Sequence, residues 1–511
     1  MDLRLGTIAA SPAEREAVAS VLGPALSRWE GGTRADETEG HIAHGGHDAR
    51  ERRHLLLPVL QAVQQRVGWI SEPALDHICE RLTVPRADAY GVATFYGLLS
   101  VEPRAPRVIH VCDDIACRCA GALELISELE EKLGPENGDD SHEVSWLRSP
   151  CLGQCDRAPA ALVSIAGEEA GEHVVAPARD AGAVLEATGH RPQAIGPVDP
   201  PAVVPQRGDP SLRLLRRIGR TNPRSLDDYR AHDGYAALRR ALELGPEGVI
   251  RELKDSGLVG RGGAAFPTGV KWEAVARQPV RPHYLVCNAD ESEPGTFKDR
   301  VLMEGDPFSV VEAMTIAAYA TGCERGYIYL RGEYPQALES LEAAIGEARS
   351  RGMLGRDVLG HGITFDIEIR RGAGAYICGE ETAIFNSIEG YRGEPRSKPP
   401  FPVTAGLFGR PTVVNNVETL VNVLEIVLFG GQAFASVGSG ASTGTRLFCL
   451  SGAVESPGVY EVPYGTRLGE LVELAGGVAG GHSLQAVLLG GAAGSFVGPD
   501  ALNLELTIES A

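Results

Sequence analysis

Gly260-Arg261-Gly262-Gly263-Ala264-Ala265-Phe266-Pro267-Thr268-Gly269 is the richest glycine loop in the chain. Gly260, Gly262 and Ala265 formally satisfy the G-x-G-x-x-G/A spacing of dinucleotide-binding turns. The preceding residues argue against that reading: Val249–Ser256 has helical character, and a turn of that kind follows a strand. The better reading is a loop whose backbone N–H groups face a phosphate or a flat ring, with Arg261 and Lys271 adding positive charge. A plain surface turn is the alternative; the glycine density, the two cations and Phe266 weigh against it.

The next loop, Asn288-Ala289-Asp290-Glu291-Ser292-Glu293-Pro294-Gly295-Thr296, directly follows a strand-like run at Tyr284–Cys287. Ligand sites of layered α/β folds lie beyond the carboxyl ends of strands. Carboxylates this close repel unless they bind hydroxyls, amides or cations. A flavin ribityl chain or a nicotinamide ribose supplies hydroxyls; a solvated turn is the plainer alternative. A third loop, Gly372-Ala373-Gly374-Ala375-Tyr376-Ile377-Cys378-Gly379-Glu380-Glu381-Thr382, follows a strand at Thr364–Ile369 and leads into a helix whose N-terminus favours negative charge. Cys378 has no second cysteine nearby and reads as a buried structural thiol. Lys398-Pro399-Pro400-Phe401-Pro402 is rigid and presents one cation and one aromatic ring. Val414-Asn415-Asn416-Val417-Glu418-Thr419 offers side-chain amides that can pair with the polar edge of a flavin.

Around these loops, strands alternate with helices: Tyr327–Leu330 with Phe308–Thr321 and Pro335–Arg351. This spacing predicts an α/β layered domain over 213–435. Beyond it, strands at Arg446–Leu450 and Gly458–Val462 and a helix at Leu468–Leu474 predict a small α+β module over 440–511. Upstream, the prolines between Pro192 and Pro210 predict a semi-rigid linker over 191–212. Before the linker, a strand at Val108–Val111, a helix at Ala122–Leu133 and strands at Val144–Leu147 and Ala160–Ile165 predict a small α/β domain over 106–190. Leu56, Val59, Leu60, Val63 and Val67 at helical spacing, with further helices at Leu75–Leu82 and Ala87–Tyr96, predict a helical bundle over 50–105. Residues 1–49 read as a mobile N-terminal segment. The polar stretch with His41, His44, His47 and His54 has a metal-binding composition but reads as solvated chain.

Two cysteine pairs carry the clearest spacing signal. Cys112 and Cys117 are separated by four residues, Cys151 and Cys155 by three. Cys112 falls at the end of a strand, Cys117 in the loop before a helix, and the second pair in a loop between strands. Four thiolates suit an iron–sulfur cluster. Structural zinc and unrelated buried thiols are the alternatives, although zinc ribbons favour two-residue gaps in both pairs.

The 511 residues accommodate roughly three or four domains of about 100–200 residues. Apolar residues at 43% and charged residues at 23% fit a soluble globular chain. The net charge of −20 argues against a nucleic-acid partner, which needs a basic face. No apolar run approaches the ~18–20 residues of a membrane span, and the N-terminus carries no signal-peptide pattern. Ten cysteines in a leaderless chain read as thiols or metal ligands, in a cytoplasmic protein.

Residues 50–190 resemble the 2Fe–2S thioredoxin-like subunit of respiratory complex I and its relatives. The resemblance is carried by Cys112-x4-Cys117, by Ser149-Pro150-Cys151-Leu152-Gly153-Gln154-Cys155 and by Ala93-Thr94-Phe95-Tyr96. It implies that Cys112, Cys117, Cys151 and Cys155 hold a 2Fe–2S cluster, with Cys119 a spare thiol. Residues 213–511 resemble, in the order and spacing of the loops above, the flavoprotein subunit that binds FMN and NADH in complex I, NAD-reducing hydrogenases and NAD-dependent formate dehydrogenases. That resemblance implies FMN held by Gly260, Gly262, Gly263, Lys271, Asn288, Asp290, Glu291, Tyr376, Gly379, Glu380, Val414, Asn415, Asn416 and Thr419. It implies NAD(H) near Phe266, Glu293, Glu381, Lys398 and Phe401, with Glu293 and Glu381 setting nicotinamide orientation and flavin potential. The small C-terminal module is implied to be ubiquitin-like, of the soluble-ligand-binding type. Relatives have a second aromatic two positions after Trp272, where this chain has Ala274.

Ser225-Leu226-Asp227-Asp228-Tyr229-Arg230-Ala231-His232-Asp233-Gly234-Tyr235 looks most like the β subunit of NAD-dependent formate dehydrogenases. The expected partner is then a molybdenum or tungsten formate dehydrogenase α subunit, with hydrogenase or complex I subunits as alternatives. Relatives carry a 4Fe–4S cluster on a later Cys-x2-Cys-x2-Cys motif; none occurs before Ala511, so the chain reads as truncated or rewired. The expected activity is NAD(H):acceptor oxidoreduction, or diaphorase activity. A non-catalytic zinc and nucleotide scaffold is the alternative from another class.

Overall fold

The structure is a computed structural model that describes residues 6, 8–25, 51–138, 143–189 and 203–510. His41, His44 and His47 lie outside the described residues. Helices α1 (Pro12–Leu22), α2 (Leu56–Val67), α3 (Glu72–Leu82) and α4 (Arg86–Ala93) come first. Helix α1 corrects the expectation of a mobile segment over 1–49 for residues 12–22, and residues 26–49 lie outside the described residues. Ser11 and Glu14 form a capping box with Pro12 in the first turn, and Ala17, Val18 and Leu22 are buried in the core that α2 and α3 share.

A four-stranded sheet follows, built from β1 (Arg107–Cys112), β2 (Val144–Ser149), β3 (Ala161–Ile165) and β4 (Gly171–Val175), in the order β2-β1-β3-β4. Helices α5 (Ile115–Cys119) and α6 (Ala122–Leu133) connect β1 to β2, and α7 (Ala181–Gly189) follows β4. Cys117 therefore sits in a short helix where a loop was expected. Strands β1 and β2 are parallel and pair Cys112 with Ser149. Both strands thus end at one edge, which brings Cys112 beside the loop that begins at Pro150.

A second four-stranded sheet contains β5 (His283–Ala289), β6 (Cys323–Leu330), β7 (Asp366–Arg371) and β8 (Thr412–Asn416), all parallel, in the order β7-β6-β5-β8. Around it run α8 (Ala236–Asp255), α9 (Thr268–Ala276), α10 (Lys298–Gly305), α11 (Pro307–Thr321), α12 (Pro335–Ser350), α13 (Glu381–Ile388) and α14 (Val417–Phe429). Strand side chains alternate between faces. Leu285, Cys287, Ile328, Leu330 and Val413 join the core of α8, α11 and α14. Val286, Tyr327, Tyr329 and Val414 join the core of α1–α4. A parallel sheet is buried on both faces, and the N-terminal bundle supplies the cover on the second one. The bundle expected as a unit over 50–105 therefore shares its core with the 213–435 layer.

The last module holds β9 (Thr445–Leu450), β10 (Gly458–Pro463), α15 (Leu468–Leu474), β11 (Val487–Leu489) and β12 (Ser495–Val497). The segment expected as a linker is corrected in its described part. Val203, Val204 and Leu212 are buried in the main core, and the Gln206 side chain exchanges hydrogen bonds with the backbone of Glu461 in β10 at 2.7 and 3.1 Å.

Candidate functional site

In the order β7-β6-β5-β8, the chain leaves β5 towards β6 on one side and returns as β8 on the other. The crevice beyond the carboxyl ends of β5 and β8 is thus a topological switch point, where open α/β sheets bind ligands. The register Asn288↔Asn416 places two side-chain amides at its mouth.

The glycine loop closes over this crevice. Its base is pinned by Gly260 N–H to the Phe266 carbonyl at 2.9 Å and Thr268 N–H to the Leu258 carbonyl at 2.9 Å. A helix precedes it, as the sequence indicated. Gly263 has φ +112°, which favours glycine, and a Cβ at Gly262 would lie 3.1 Å from Asn416 Cβ. The Arg261 N–H donates to Thr419 Oγ1 at 2.8 Å. The Arg261 side chain is a correction: it turns away, donates to the Thr443 carbonyl at 2.7 Å and lies over the Tyr464 ring, docking the C-terminal module. Lys271 is the cation that stays at the crevice. Its Nζ donates to the Val414 carbonyl at 2.9 Å and stands 4.0 Å from Glu381, while burial pulls the ammonium below its ordinary range. Trp272, one residue on, donates to Asn415 Oδ1 at 2.8 Å and fixes that amide.

On the acidic loop, Asn288 Nδ2 donates to the Gly379 carbonyl at 2.8 Å, joining this loop to the third one. Asp290 is pushed up to about 7 by burial and by nearby Glu333, against Arg331. Its Oδ2 is buried with no hydrogen-bond partner. Glu291 is a second correction. Its carboxylate accepts from the N–H groups of Asp299 and Arg300 at 2.8 and 3.0 Å and caps α10, so it faces protein and not the crevice. Glu293 accepts from the Tyr376 hydroxyl at 2.6 Å and from the Ala493 N–H of the C-terminal module at 3.1 Å. Glu380 caps α13 through the N–H groups of Thr382 and Ala383. Lys398 bridges Glu380 and Glu381 at 3.1 and 2.7 Å; burial works against its charge, but these bonds outweigh it and hold the ammonium above its usual range. Large hydrophobic rings stand open at the rim: Phe266 is 49% exposed, Phe401 56% and Tyr376 59%.

The four expected thiols converge below the acidic loop. Cys112 contacts Cys117 and Cys151, and the Cys151 and Cys155 sulfurs lie 3.4 Å apart. Among the described residues no three His, Cys, Asp or Glu close around one ion. The four thiols gather in one place, Cys117 near both Cys112 and Cys155, an arrangement that suits the four thiolate ligands of an iron–sulfur cluster. Cys119 is exposed, and Cys378 is buried as expected.

Residues that the sequence reading missed join the two regions. Arg300, 0% exposed, donates to Gln154 Oε1 at 2.8 Å and Asp156 Oδ1 at 2.7 Å in the cysteine loop. Arg331 donates to the carbonyls of Cys151 and Glu291. Lys298 is buried between Asp299 at 2.7 Å and Glu418 at 3.0 Å, and Asn416 donates to Asp299 at 2.6 Å. The available signal was Lys298-Asp299-Arg300 heading a helix that continues Val301-Leu302-Met303: three charges with no solvated face.

Residues 253–425 match the Nuo51 FMN-binding domain, 42–174 the thioredoxin-like [2Fe-2S] ferredoxin, and 447–494 the SLBB domain. An NADH-quinone oxidoreductase F subunit of Rhizobium meliloti (strain 1021) is 49% identical over 299 residues, covering 58% of this chain and 71% of that one. The chain belongs to the family of NADH-quinone oxidoreductase F subunits. The F subunit of Aquifex aeolicus (strain VF5) is 49% identical over 54% of this chain and 65% of its own. The HndC subunit of the NADP-reducing hydrogenase of Solidesulfovibrio fructosivorans is 46% identical over 58% of this chain and 61% of its own. The chain thus spans somewhat under two thirds of these last two relatives. The crystal structure of an NAD+-reducing [NiFe]-hydrogenase in the air-oxidized state superposes with a TM-score of 0.74 at 32% identity, over 90% of this chain and 76% of that one. This member of the family is therefore a flavin oxidoreductase subunit of NADH dehydrogenase type, with an FMN-binding domain, a 2Fe–2S thioredoxin-like domain and an SLBB module in one chain. Among the described residues no helix is long and apolar enough to cross a membrane.

Proposed function

We propose that the chain exchanges hydride between NAD(H) and FMN at the β5/β8 switch point and passes single electrons to iron–sulfur centres. The observation that carries this reading is the meeting of the glycine loop, the paired Asn288 and Asn416 and three exposed rings at this switch point, with a buried, partnerless Asp290 Oδ2 beside Gly379. When bound, FMN supplies the conversion between two-electron and one-electron chemistry. The backbone of Gly260, Gly262 and Gly263 and the ammonium of Lys271 take its phosphate and ring edge. Asn288 and Asp290 meet its ribityl hydroxyls; with a pKa of about 7, Asp290 can donate as well as accept there. Gly379 ties the third loop to the acidic one through its carbonyl, which accepts from Asn288. Asn415 and Asn416, held by Trp272 and Asp299, present fixed amides. Phe266 and Phe401 bracket the dinucleotide rings, and Glu293 and Glu381, anchored by Tyr376 and Lys398, orient the nicotinamide.

NADH–ferricyanide reductase activity of the flavin-loaded chain tests the reading. Turnover that saturates with NADH is expected; a flavin-loaded chain unable to oxidise NADH overturns it. A visible spectrum separates this enzyme, yellow-brown, from a colourless zinc scaffold.

The proposed setting is the cytoplasm and the proposed partner a molybdenum or tungsten formate dehydrogenase subunit, supported by the Ser225–Tyr235 segment. The likeness to an NAD+-reducing hydrogenase favours a nickel-containing partner as a second reading. Molybdenum, tungsten and nickel content of the copurified complex decides between them.

A further inference from the structure

Arg331 occupies the seam between the cysteine loop and the flavin-side loops. It follows β6 directly and is 1% exposed. One guanidinium serves both sides: Nη2 donates to the carbonyl of Cys151, and Nη1 donates to the carbonyl of Glu291. The Tyr334 ring lies 5.1 Å from the guanidinium carbon, and its hydroxyl donates to the Glu291 carboxylate at 3.1 Å. The same ring fills the space over Gly153, between two of the cysteines; a Cβ there would collide with it. Glu333 faces the remaining edge, 3.4 Å from Nε, and neither of those two atoms has a hydrogen-bond partner. The cation is therefore bound tightly on the side of the cysteine loop and only loosely neutralised on the other.

Adding an electron to a 2Fe–2S centre adds a negative charge to a buried site. Charge, hydrogen bonding and burial around the ligands set how favourable that is. A cation with little water near it acts more strongly than one at the surface. We propose that Arg331 is a positioning residue shared by both redox regions: it locks the Cys151 loop to the Glu291 turn and biases the 2Fe–2S centre towards its reduced form. Glu333 opposes that bias. The inference rests on the reading of the four thiols as cluster ligands and of the Glu291 turn as part of the flavin site.

The test is a potentiometric titration of the reduced-cluster electron paramagnetic resonance signal in the full chain carrying FMN and cluster. At the wild-type midpoint, Arg331→Gln lowers the reduced-to-oxidised ratio about tenfold, ~59 mV for a one-electron couple. Arg331→Lys keeps the charge and recovers most of that shift. Glu333→Gln moves the midpoint the opposite way, upward. A purely structural role does not produce shifts of opposite sign, and Glu333→Gln decides the matter alone if Arg331→Gln loses its cluster. Unchanged midpoints, or a downward shift in Glu333→Gln, overturn the proposal. A wild-type chain with no 2Fe–2S signal overturns the underlying cluster reading instead.

Discussion

The flavin-side crevice and the seam behind it use the same residue types in opposite ways. At the crevice, Phe266, Tyr376 and Phe401 stand exposed and Asp290 keeps a buried oxygen without a partner. At the seam, Arg300 is fully buried between Asp156, Gln154 and Glu304. Open rings around glycine loops indicate a place for a ligand; buried ion pairs at 2.7 Å indicate a rigid join. The cysteine loop and the flavin loops are thus held at a fixed spacing, while the nucleotide side is left accessible.

Removing a charge from the seam has the largest expected effect. Arg300→Met takes the 2.7 Å partner from buried Asp156, leaving it only Arg157 at 3.6 Å, and strips Glu304 of its cation, a loss of about 3 kcal/mol; denaturant unfolding of the loaded chain measures it. A loss below about 1 kcal/mol would mean that the seam is not rigidly joined. At the rim, Phe401→Ala removes a ring without unburying a charge. It raises KM for NADH roughly 2- to 12-fold, from ~0.5–1.5 kcal/mol of ring contact, with stability unchanged; an unaltered KM breaks the assignment of the rim.

A smaller effect concerns pH. Asp290 has a folded pKa of about 7, above the ~3.9 of an unfolded aspartate. The folded chain therefore keeps a proton that the unfolded chain releases. This contribution to stability is full below about pH 4 and is lost as pH rises through about 7. In flavin-free chain, Asp290→Asn makes the fall of the unfolding midpoint between about pH 4 and 7 shallower; an equal slope contradicts Asp290 as the source. The smallest effect is at the surface. Arg118 pairs with Asp113 at 2.6 Å while 54% exposed, and Arg118→Ala leaves the unfolding midpoint unmoved, in contrast to Arg300→Met.

Much of the site was legible because its chemistry is local in sequence. Spacing alone marked the two cysteine pairs, and the glycine loop was recognisable from its preceding helix. Side-chain direction was not legible. Arg261 and Glu291 lie inside ligand-like loops, yet one docks the C-terminal module and the other caps α10. Their partners, Thr443 and the backbone of Asp299, are set by tertiary packing that no local pattern encodes. The role of the N-terminal bundle was hidden for the same reason: amphipathic helices announce a buried face, but not that Val286, Tyr327 and Val414 form the surface they cover. Nothing local marks Arg331 as buried, whereas Arg300 at least sits among charges on a helix with no solvated face; the burial of both follows from the two loops that close over them.

Anaerobic addition of NADH to the chain loaded with FMN and 2Fe–2S is the decisive experiment for hydride transfer at the β5/β8 crevice. The flavin absorbance is expected to bleach, and a reduced 2Fe–2S signal to follow in electron paramagnetic resonance. A loaded flavin whose spectrum NADH leaves unchanged would contradict it.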